Sequence, residues 1–134
     1  MDEVLEFLKK TDTYFLATVD GDQPHVRPFG TIYKFNDRLY IQTGKKKDVA
    51  KQIAANPKVE ICAWAGEDWL RVRATLVNDE SIEAQQSLLD EYPSLQEMYQ
   101  AGDGNNEVLY LTDATASFYS FGSEPPMAPR IVTF

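Results

Sequence analysis

The chain has 134 residues, a net charge of −8, 43% apolar residues and 25% charged residues. This length and composition suit one water-soluble globular domain with its own core. No apolar run is long enough to cross a membrane, and the acidic start Met1-Asp2-Glu3 differs from the basic start of an export signal. We therefore expect a cytoplasmic domain over residues 1–134, with a core to residue 121 and an extended tail over 122–134. One cysteine and one histidine exclude an internal disulfide and argue against a metal site.

The first half of the chain predicts a mixture of strands and short helices. The expected elements are a helix over 2–10, strands over 14–19, 25–34 and 38–43, and a helix over 46–55. Turn sequences, Asp20-Gly21-Asp22 and Asn36-Asp37, separate the strands. Pro28 lies inside the second strand. Because proline cannot donate to a strand ladder, that strand should lie at a sheet edge or contain a bulge.

The second half predicts further strands and two helices. The expected elements are strands over 59–64 and 69–77, helices over 81–90 and 93–100, and strands over 108–111 and 116–121. In the strand over 69–77, leucine, valine and alanine alternate with arginine and threonine. The tail segment over 131–133 is also able to pair. About six strands joined by short turns, with flanking helices, predict a mainly β fold that forms a small closed or partly closed barrel.

Positive charge is concentrated in one quarter of this acidic chain. Residues 27–58 carry a net charge of +6 and the remaining residues carry −14. An acidic surface repels nucleic acid, so the basic segment favours a small anion such as a phosphate. The alternative is a solvated helix face on which lysines cluster by chance.

The densest basic cluster follows the end of a predicted strand. Thr43 ends the strand, Gly44 permits an unusual turn, and Lys45, Lys46 and Lys47 lead into the next helix. The N-terminus of a helix attracts anions and disfavours lysine, so this placement indicates a negative partner. A surface lysine run that only improves solubility remains the alternative.

An ordered set of segments resembles a known family. The segments are Tyr14-Phe15-Leu16-Ala17-Thr18, Pro24-His25-Val26-Arg27-Pro28-Phe29, Leu39-Tyr40-Ile41-Gln42-Thr43, Lys45-Lys46-Lys47-Asp48-Val49, Gln52-Ile53 and Asn56-Pro57-Lys58-Val59-Glu60-Ile61-Cys62. Their order and spacing resemble the pyridoxamine 5′-phosphate oxidase-like family of FMN-binding split barrels, most closely over residues 5–80. The resemblance implies an antiparallel Greek-key split β-barrel that binds FMN (flavin mononucleotide).

The resemblance also implies which residues hold the cofactor. Arg27 would contact the phosphate or ribityl region, and the backbone of Pro28, Phe29 and Gly30 would run beside the isoalloxazine ring. The strand end supplies Gln42 and Thr43 to the cofactor site. Phosphate-holding lysines would come from Lys45, Lys46 and Lys47, with the choice among them open. Trp69, with Trp64, would contact the ring from either subunit or pack in the core or interface.

The function implied by the resemblance is that of an FMN-dependent oxidoreductase in a homodimer, with a small-molecule substrate or electron donor such as NAD(P)H. A non-catalytic flavin-binding or redox-sensing protein is an alternative, as is a split barrel that uses haem or F420. No side chain stands out as a catalytic acid or base. The vitamin B6 oxidase itself is disfavoured because no matching C-terminal arginine motif is present; Arg130 fits it poorly. His25 shares a strand face with Arg27, and Cys62 is expected to be buried.

Overall fold

Alternating apolar and polar residues give the chain a β architecture. In the computed structural model, which describes residues 1–122 and 128–134, eight strands and three α-helices are present. The strands are β1 (Tyr14–Asp20), β2 (Gln23–Phe29), β3 (Tyr33–Phe35), β4 (Arg38–Gly44), β5 (Lys58–Ala65), β6 (Asp68–Asp79), β7 (Asn106–Ser120) and β8 (Arg130–Thr133). The helices are α1 (Asp2–Thr11), α2 (Asp48–Ala55) and α3 (Ile82–Glu91), followed by a 3-10 helix (Pro93–Glu97).

All strands belong to one antiparallel sheet. The order is β2-β1-β5-β6-β7-β4-β3, and β8 pairs with β7. Short turns join β1 to β2, β3 to β4 and β5 to β6, whereas α3 and the 3-10 helix lie between β6 and β7. Helix α2 carries the chain from β4 past β7 and β6 to β5. This return to a distant strand is the Greek-key pattern of connections.

The sheet curls around one apolar core. In β6, Leu70 and Val72 are fully buried, and Arg71 and Arg73, which alternate with them, are exposed. This is the period of two of a half-buried strand. Inward residues from five strands share this core: Leu16, Ile41, Ile61, Val72 and Leu109. Strands from distant positions in the sheet order meet there, so the sheet is rolled rather than flat. A smaller cluster of tyrosines and leucines joins α3 to β3 and β4.

Helix α1 covers one side of the core with its apolar face. Val4 and Leu8 are fully buried. Acidic residues occupy its first turn and basic residues its last turn, which complements the helix dipole.

Three predictions of the number and type of elements are wrong: one strand is divided, two are joined, and one helix is of another type. The strand predicted over 25–34 is two strands, because residues 30–32 leave β2 and carry the chain to β3 at the opposite edge of the sheet. The strands predicted over 108–111 and 116–121 are the single strand β7. Its polar centre bends instead of breaking: Asp113 has a φ of +49°, and the β6–β7 register shifts nearby. The split adds one strand and the merger removes one, and β8 in the tail adds another, so there are eight strands where about six were predicted. The helix predicted over 93–100 is the short 3-10 helix.

The end of the tail joins the sheet. The predicted pairing of Ile131, Val132 and Thr133 is confirmed, since β8 pairs with β7. Phe134 and Ala114 exchange two backbone hydrogen bonds of 2.8 and 3.0 Å. The rest of the tail prediction falls partly on residues 123–127, which lie outside the described residues. Within the described ranges, none of the helices has the length and apolarity needed to cross a membrane.

Leu8→Ala tests whether α1 is an integral part of the core. The variant removes a fully buried side chain, so the free energy of unfolding should fall by about 2–5 kcal/mol. Glu6→Ala, on the exposed face of the same helix, should change it by less than about 0.5 kcal/mol. Urea denaturation of both variants measures the difference; equal small effects would mean that α1 does not pack on the barrel.

Candidate functional site

A cavity lies where the curled sheet remains open, between β2 and β4. Its volume is about 200 Å³. It is lined by Arg27, Pro28, Phe29, Gly30, Thr31, Gln42, Thr43, Lys47 and Val49. Seven of these residues were candidates from the sequence. The fold therefore brings the two predicted halves of the site, separated by more than ten residues along the chain, to one cavity.

The edge strand β2 provides one wall of the cavity. It pairs with β1, and it is the first strand in the sheet order, so the edge position predicted from Pro28 is confirmed. An edge strand has backbone groups on one side that are not used by the sheet. These groups are available to a flat ligand lying along Arg27–Phe29.

Hydrogen bonds from three directions, two from tyrosine side chains and one from a backbone N–H, hold the segment of residues 30–32 that crosses from β2 to β3. The hydroxyl of Tyr14 donates to the Thr31 carbonyl at 2.6 Å. The Gln42 N–H donates to the Thr31 hydroxyl at 3.0 Å. The Tyr92 hydroxyl accepts from the Ile32 N–H at 2.9 Å and donates to the Ile32 carbonyl at 2.8 Å. Burial raises the pKa of Tyr14 well above its usual value, so its phenol remains a donor. These contacts fix the width of the opening.

Arg27 presents an oriented positive charge at the cavity. One guanidinium nitrogen donates to the Leu16 carbonyl at 3.1 Å and the other to the Gln52 amide oxygen at 2.7 Å. Partial burial lowers the pKa of the guanidinium, but an arginine stays protonated in proteins. Both acceptors are neutral, so they orient the charge without cancelling it.

The three lysines of the basic cluster have different surroundings. Lys47 lines the cavity, whereas the Lys45 ammonium pairs with Glu80 at 3.0 Å. Asn105 accepts the backbone N–H of Lys45 through its carbonyl at 2.8 Å and that of Lys46 through its side chain at 3.3 Å. Among the predicted lysines, only Lys47 therefore lies on the described cavity wall.

The predicted start of the helix after this cluster is wrong. Helix α2 begins at Asp48, not at Lys46, and Lys47 is its extended N-cap residue. An aspartate in the first turn suits the helix dipole better than a lysine would. The N–H groups of Ala50 and Lys51 donate to the Lys47 carbonyl at 3.1 and 3.4 Å. Among the described residues, the first-turn N–H groups without a partner are thus those of Asp48 and the cavity-lining Val49.

Thr43 offers an unused hydroxyl. The residue is 2% exposed, and within residues 1–122 and 128–134 its hydroxyl makes no hydrogen bond. Its cross-strand partner is Glu107, whose pKa is raised by burial and whose carboxylate accepts from Asn78 at 2.9 Å. A hydroxyl that opens to a cavity and has no protein partner is suited to a ligand oxygen.

Other sequence candidates lie elsewhere. Trp69 is on the outer face of the sheet, stacked on Tyr119 with ring centroids 4.0 Å apart, and does not line this cavity. Trp64, its cross-strand partner, is 70% exposed. His25 lines a neighbouring cavity of about 630 Å³. Cys62 is exposed on the outer face. The expectation that it is buried is wrong, because the alternation of β5 turns its neighbours inward instead.

Gln52 is the residue that sequence reasoning left without a role. Its amide oxygen accepts a hydrogen bond from the Arg27 guanidinium at 2.7 Å and another from the Thr18 hydroxyl at 2.5 Å. A signal was available, since Val49 and Ile53 of α2 face the core and Gln52 lies beside them on the helix surface. A polar side chain in that position needs a buried partner.

Metal chemistry has no support in the side chains near this site. In the described part of the chain, no group of three or more histidine, cysteine, aspartate or glutamate side chains is placed to hold a metal ion. The cavity wall instead combines two cations, a hydroxyl, an amide and an apolar edge. This set suits an organic anion with a flat apolar part.

Comparison with known proteins identifies the family. The profile of the family described as Pyridoxamine 5′-phosphate oxidase matches residues 1–117. The chain belongs to this family. A solved structure of a NimC/NimA family protein from Clostridium acetobutylicum is 36% identical to this chain and superposes on it with a TM-score of 0.92. The alignment covers 100% of this chain and 93% of that protein. Among curated protein sequences, no significant match is found.

More distant structures share the fold and differ in the ligand that their names give. A pyridoxamine 5′-phosphate oxidase-related, FMN-binding protein from Nostoc punctiforme PCC 73102 is 16% identical, with a TM-score of 0.68 over 99% of this chain and 94% of that one. HutZ, the haem storage protein from Vibrio cholerae, is 17% identical, with a TM-score of 0.62 over 82% of this chain and 87% of that one. The predicted mainly β split-barrel fold is confirmed by this membership and these neighbours.

Tyr92→Phe tests whether the crossing segment is held as described. The change removes the hydroxyl that contacts both backbone groups of Ile32, so stability should fall by about 1–2 kcal/mol. Hydrogen exchange at the Ile32 amide should accelerate at least about tenfold. Tyr110→Phe is the matched control, because the Tyr110 hydroxyl makes no hydrogen bond to any described residue. Unchanged Ile32 exchange in Tyr92→Phe would contradict the assignment.

Proposed function

We propose that this protein binds FMN in the opening between β2 and β4 and uses it as an oxidoreductase. Arg27, Lys47 and the Thr43 hydroxyl would hold the phosphate, and the exposed edge of β2 toward Gly30 would accommodate the isoalloxazine ring. The observation that carries the proposal is the uncompensated pair of cations at one end of an apolar opening.

The surroundings of this pair are distinctive, because the cavity wall that carries Arg27 and Lys47 has no carboxylate. Among the described residues, the cations in ion pairs with acidic side chains are Lys9, Lys34, Lys45, Arg71 and Arg130. Arg27 and Lys47 have no such partner in the same part of the chain. In a protein of net charge −8, two unpaired cations converging on one cavity favour a dianion, because charge-assisted hydrogen bonds to phosphate are stronger than neutral ones.

The ring end of the opening has space that the protein does not use. A Cβ atom added at Gly30 would meet no atom within 4 Å, so protein packing does not require glycine there. The cavity of about 200 Å³ is also smaller than the roughly 300–1,000 Å³ that encloses a drug-sized ligand. It is therefore suited to the phosphate end of FMN, with the ring extending along the open strand edge.

The residues of the site bind and orient rather than transfer protons. Bound FMN would accept electrons from a donor such as NAD(P)H and pass them to a small-molecule acceptor. Within the described cavity wall, no carboxylate, imidazole or thiol is present. Arg27 and Lys47 neutralise the phosphate, and the segment held by Tyr92 keeps the ring at a fixed distance from β4.

Haem is the second candidate ligand, because a haem storage protein shares the fold. His25 is the single histidine and would be the axial ligand. It is separated from the cation pair, in the neighbouring cavity beside Lys51. A visible spectrum of the purified protein distinguishes a flavin from haem, and bleaching by NADPH with turnover by an acceptor distinguishes an enzyme from a non-catalytic flavin carrier or sensor.

FMN and riboflavin differ by the phosphate, so their relative affinity tests the proposal. Wild-type protein should bind FMN at least about a hundredfold more tightly than riboflavin in a fluorescence-quenching titration. Arg27→Ala and Lys47→Ala should each weaken FMN binding about tenfold or more and leave riboflavin unchanged. Lys45→Ala is the matched control, since Lys45 is paired with Glu80, and should stay within about twofold. Equal affinities for FMN and riboflavin would overturn the phosphate assignment.

We further propose that the outer face of the sheet packs against a second copy and covers the flavin. Several large apolar side chains on this face are exposed to solvent: Phe15 is 49% exposed, Val26 68%, Trp64 70% and Ile131 53%. Phe15, Val26 and Trp64 lie on the same side of the neighbouring strands β1, β2 and β5. Ile131 of β8 lies on that side too, because its partner in β7 is paired with the outward-facing Arg71 of β6. Contiguous exposed apolar side chains mark interaction surfaces. The open side of the flavin would be shielded by such an arrangement.

Trp64→Glu tests this dimer. Placing a carboxylate in an apolar interface should weaken association at least about tenfold, seen as a shift from dimer to monomer in analytical ultracentrifugation. Met98→Glu is the control, because Met98 is equally exposed, at 70%, but follows the 3-10 helix, away from this face. A wild-type monomer with full FMN occupancy would be incompatible with the proposal.

A further inference from the structure

We propose that Gln52 is a positioning residue for Arg27: its neutral amide oxygen fixes the guanidinium in the orientation that binds phosphate while leaving the positive charge uncancelled. This inference rests on the proposed function, because it names the residue that tunes the phosphate end of the same site. The helix α2 supplies Gln52, and the edge strand β2 supplies Arg27.

The hydrogen bonds fix which end of the amide faces Arg27. Two donors point at the same Gln52 atom: the Arg27 guanidinium at 2.7 Å and the Thr18 hydroxyl at 2.5 Å. Only the amide oxygen accepts hydrogen bonds, so the network assigns the oxygen to this position. Thr18 is 1% exposed and lies in β1 beside the core. A buried hydroxyl thus holds the amide, and the amide holds the arginine.

The neutrality of the acceptor matters for anion binding. Other cations of the described chain are held by carboxylates that cancel their charge: Arg71 by Glu60 at 3.1 Å and Lys45 by Glu80 at 3.0 Å. A glutamate at position 52 would hold Arg27 equally well but would cancel its charge and repel a phosphate dianion. Glutamine supplies the same hydrogen-bond geometry without that penalty.

Loss of the amide oxygen would release Arg27 in a predictable way. The remaining protein acceptor is the Leu16 carbonyl at 3.1 Å, which restrains one guanidinium nitrogen only. The freed end of the guanidinium would have space toward the neighbouring cavity, which is lined by His25, Lys51 and Gln52. Arg27 would then pay an ordering cost each time that it binds phosphate.

Two matched pairs of variants test the positioning role. Gln52→Met removes the acceptor at similar length, Gln52→Glu keeps the acceptor and adds charge, Thr18→Val removes the hydroxyl that holds Gln52, and Thr18→Ser keeps it. The measured quantity is the ratio of the riboflavin and FMN dissociation constants, obtained by fluorescence quenching on the full chain. This ratio isolates the phosphate, because any general loss of packing affects both ligands.

The expected order of effects is specific. Gln52→Met should lower the ratio about tenfold, Gln52→Glu should lower it further than Gln52→Met, and Thr18→Val should lower it about threefold. Thr18→Ser should keep the wild-type ratio. Raising the salt concentration should reduce the wild-type ratio more than the Gln52→Glu ratio, since the variant has less net positive charge at the phosphate.

Each result has a definite meaning. An unchanged ratio in both Gln52 variants, with wild-type preference for FMN intact, overturns the role of Gln52 and leaves the FMN proposal standing. Equal weakening of both ligands assigns Gln52 a structural role only and also overturns the inference. If wild-type protein shows no preference for FMN over riboflavin, the proposed function itself fails. Should Gln52→Met not fold, Gln52→Glu and the Thr18 pair decide the question.

Discussion

The crossing of residues 30–32 is the constraint on which the candidate site depends. At this point the chain leaves one edge of the sheet and reaches the other, so it spans the side of the barrel that no strand closes. The hydroxyls of Tyr14 and Tyr92 and the backbone N–H of Gln42 hold the crossing by hydrogen bonds of 2.6–3.0 Å. The opening between β2 and β4 therefore has a fixed width, and the residues on its two sides keep their separation. A binding site on a rigid frame loses little entropy when it takes a ligand.

Charge is distributed so that this opening stands out from the rest of the molecule. The chain as a whole is acidic, and the cavity wall that carries Arg27 and Lys47 has no carboxylate. Arg27 is held instead by a carbonyl and an amide, both neutral. Orientation without neutralisation is expensive for a protein that binds nothing, because a half-buried charge loses hydration. The arrangement becomes favourable when a phosphate supplies the missing countercharge, which links the local electrostatics to the proposed cofactor.

Much of the fold was predictable from patterns of period two. The alternation of Leu70 and Val72 with Arg71 and Arg73 gave the inner and outer faces of β6, and Pro28 gave the edge position of β2. The connection between β2 and β3 was not predictable from periodicity, since the apolar residues Phe29, Ile32 and Tyr33 on both sides of it suggest one continuous extended run. The continuity of β7 was missed for the opposite reason: its polar centre resembles a turn, but pairing with β6 continues on both sides of the bend at Asp113.

For the site, the sequence by itself determined the residue types: a basic segment in an acidic chain, an arginine beside a proline on an extended strand, and a threonine before a lysine cluster. Tertiary structure alone decided their roles. It turned Lys47 toward the opening and Lys45 toward Glu80, moved Trp69 to the outer face, and brought Gln52 of a helix to Arg27 of a distant strand. The physical reason is that local propensity fixes which way a side chain points on its own element, whereas its partners are set by the packing of elements far apart in sequence.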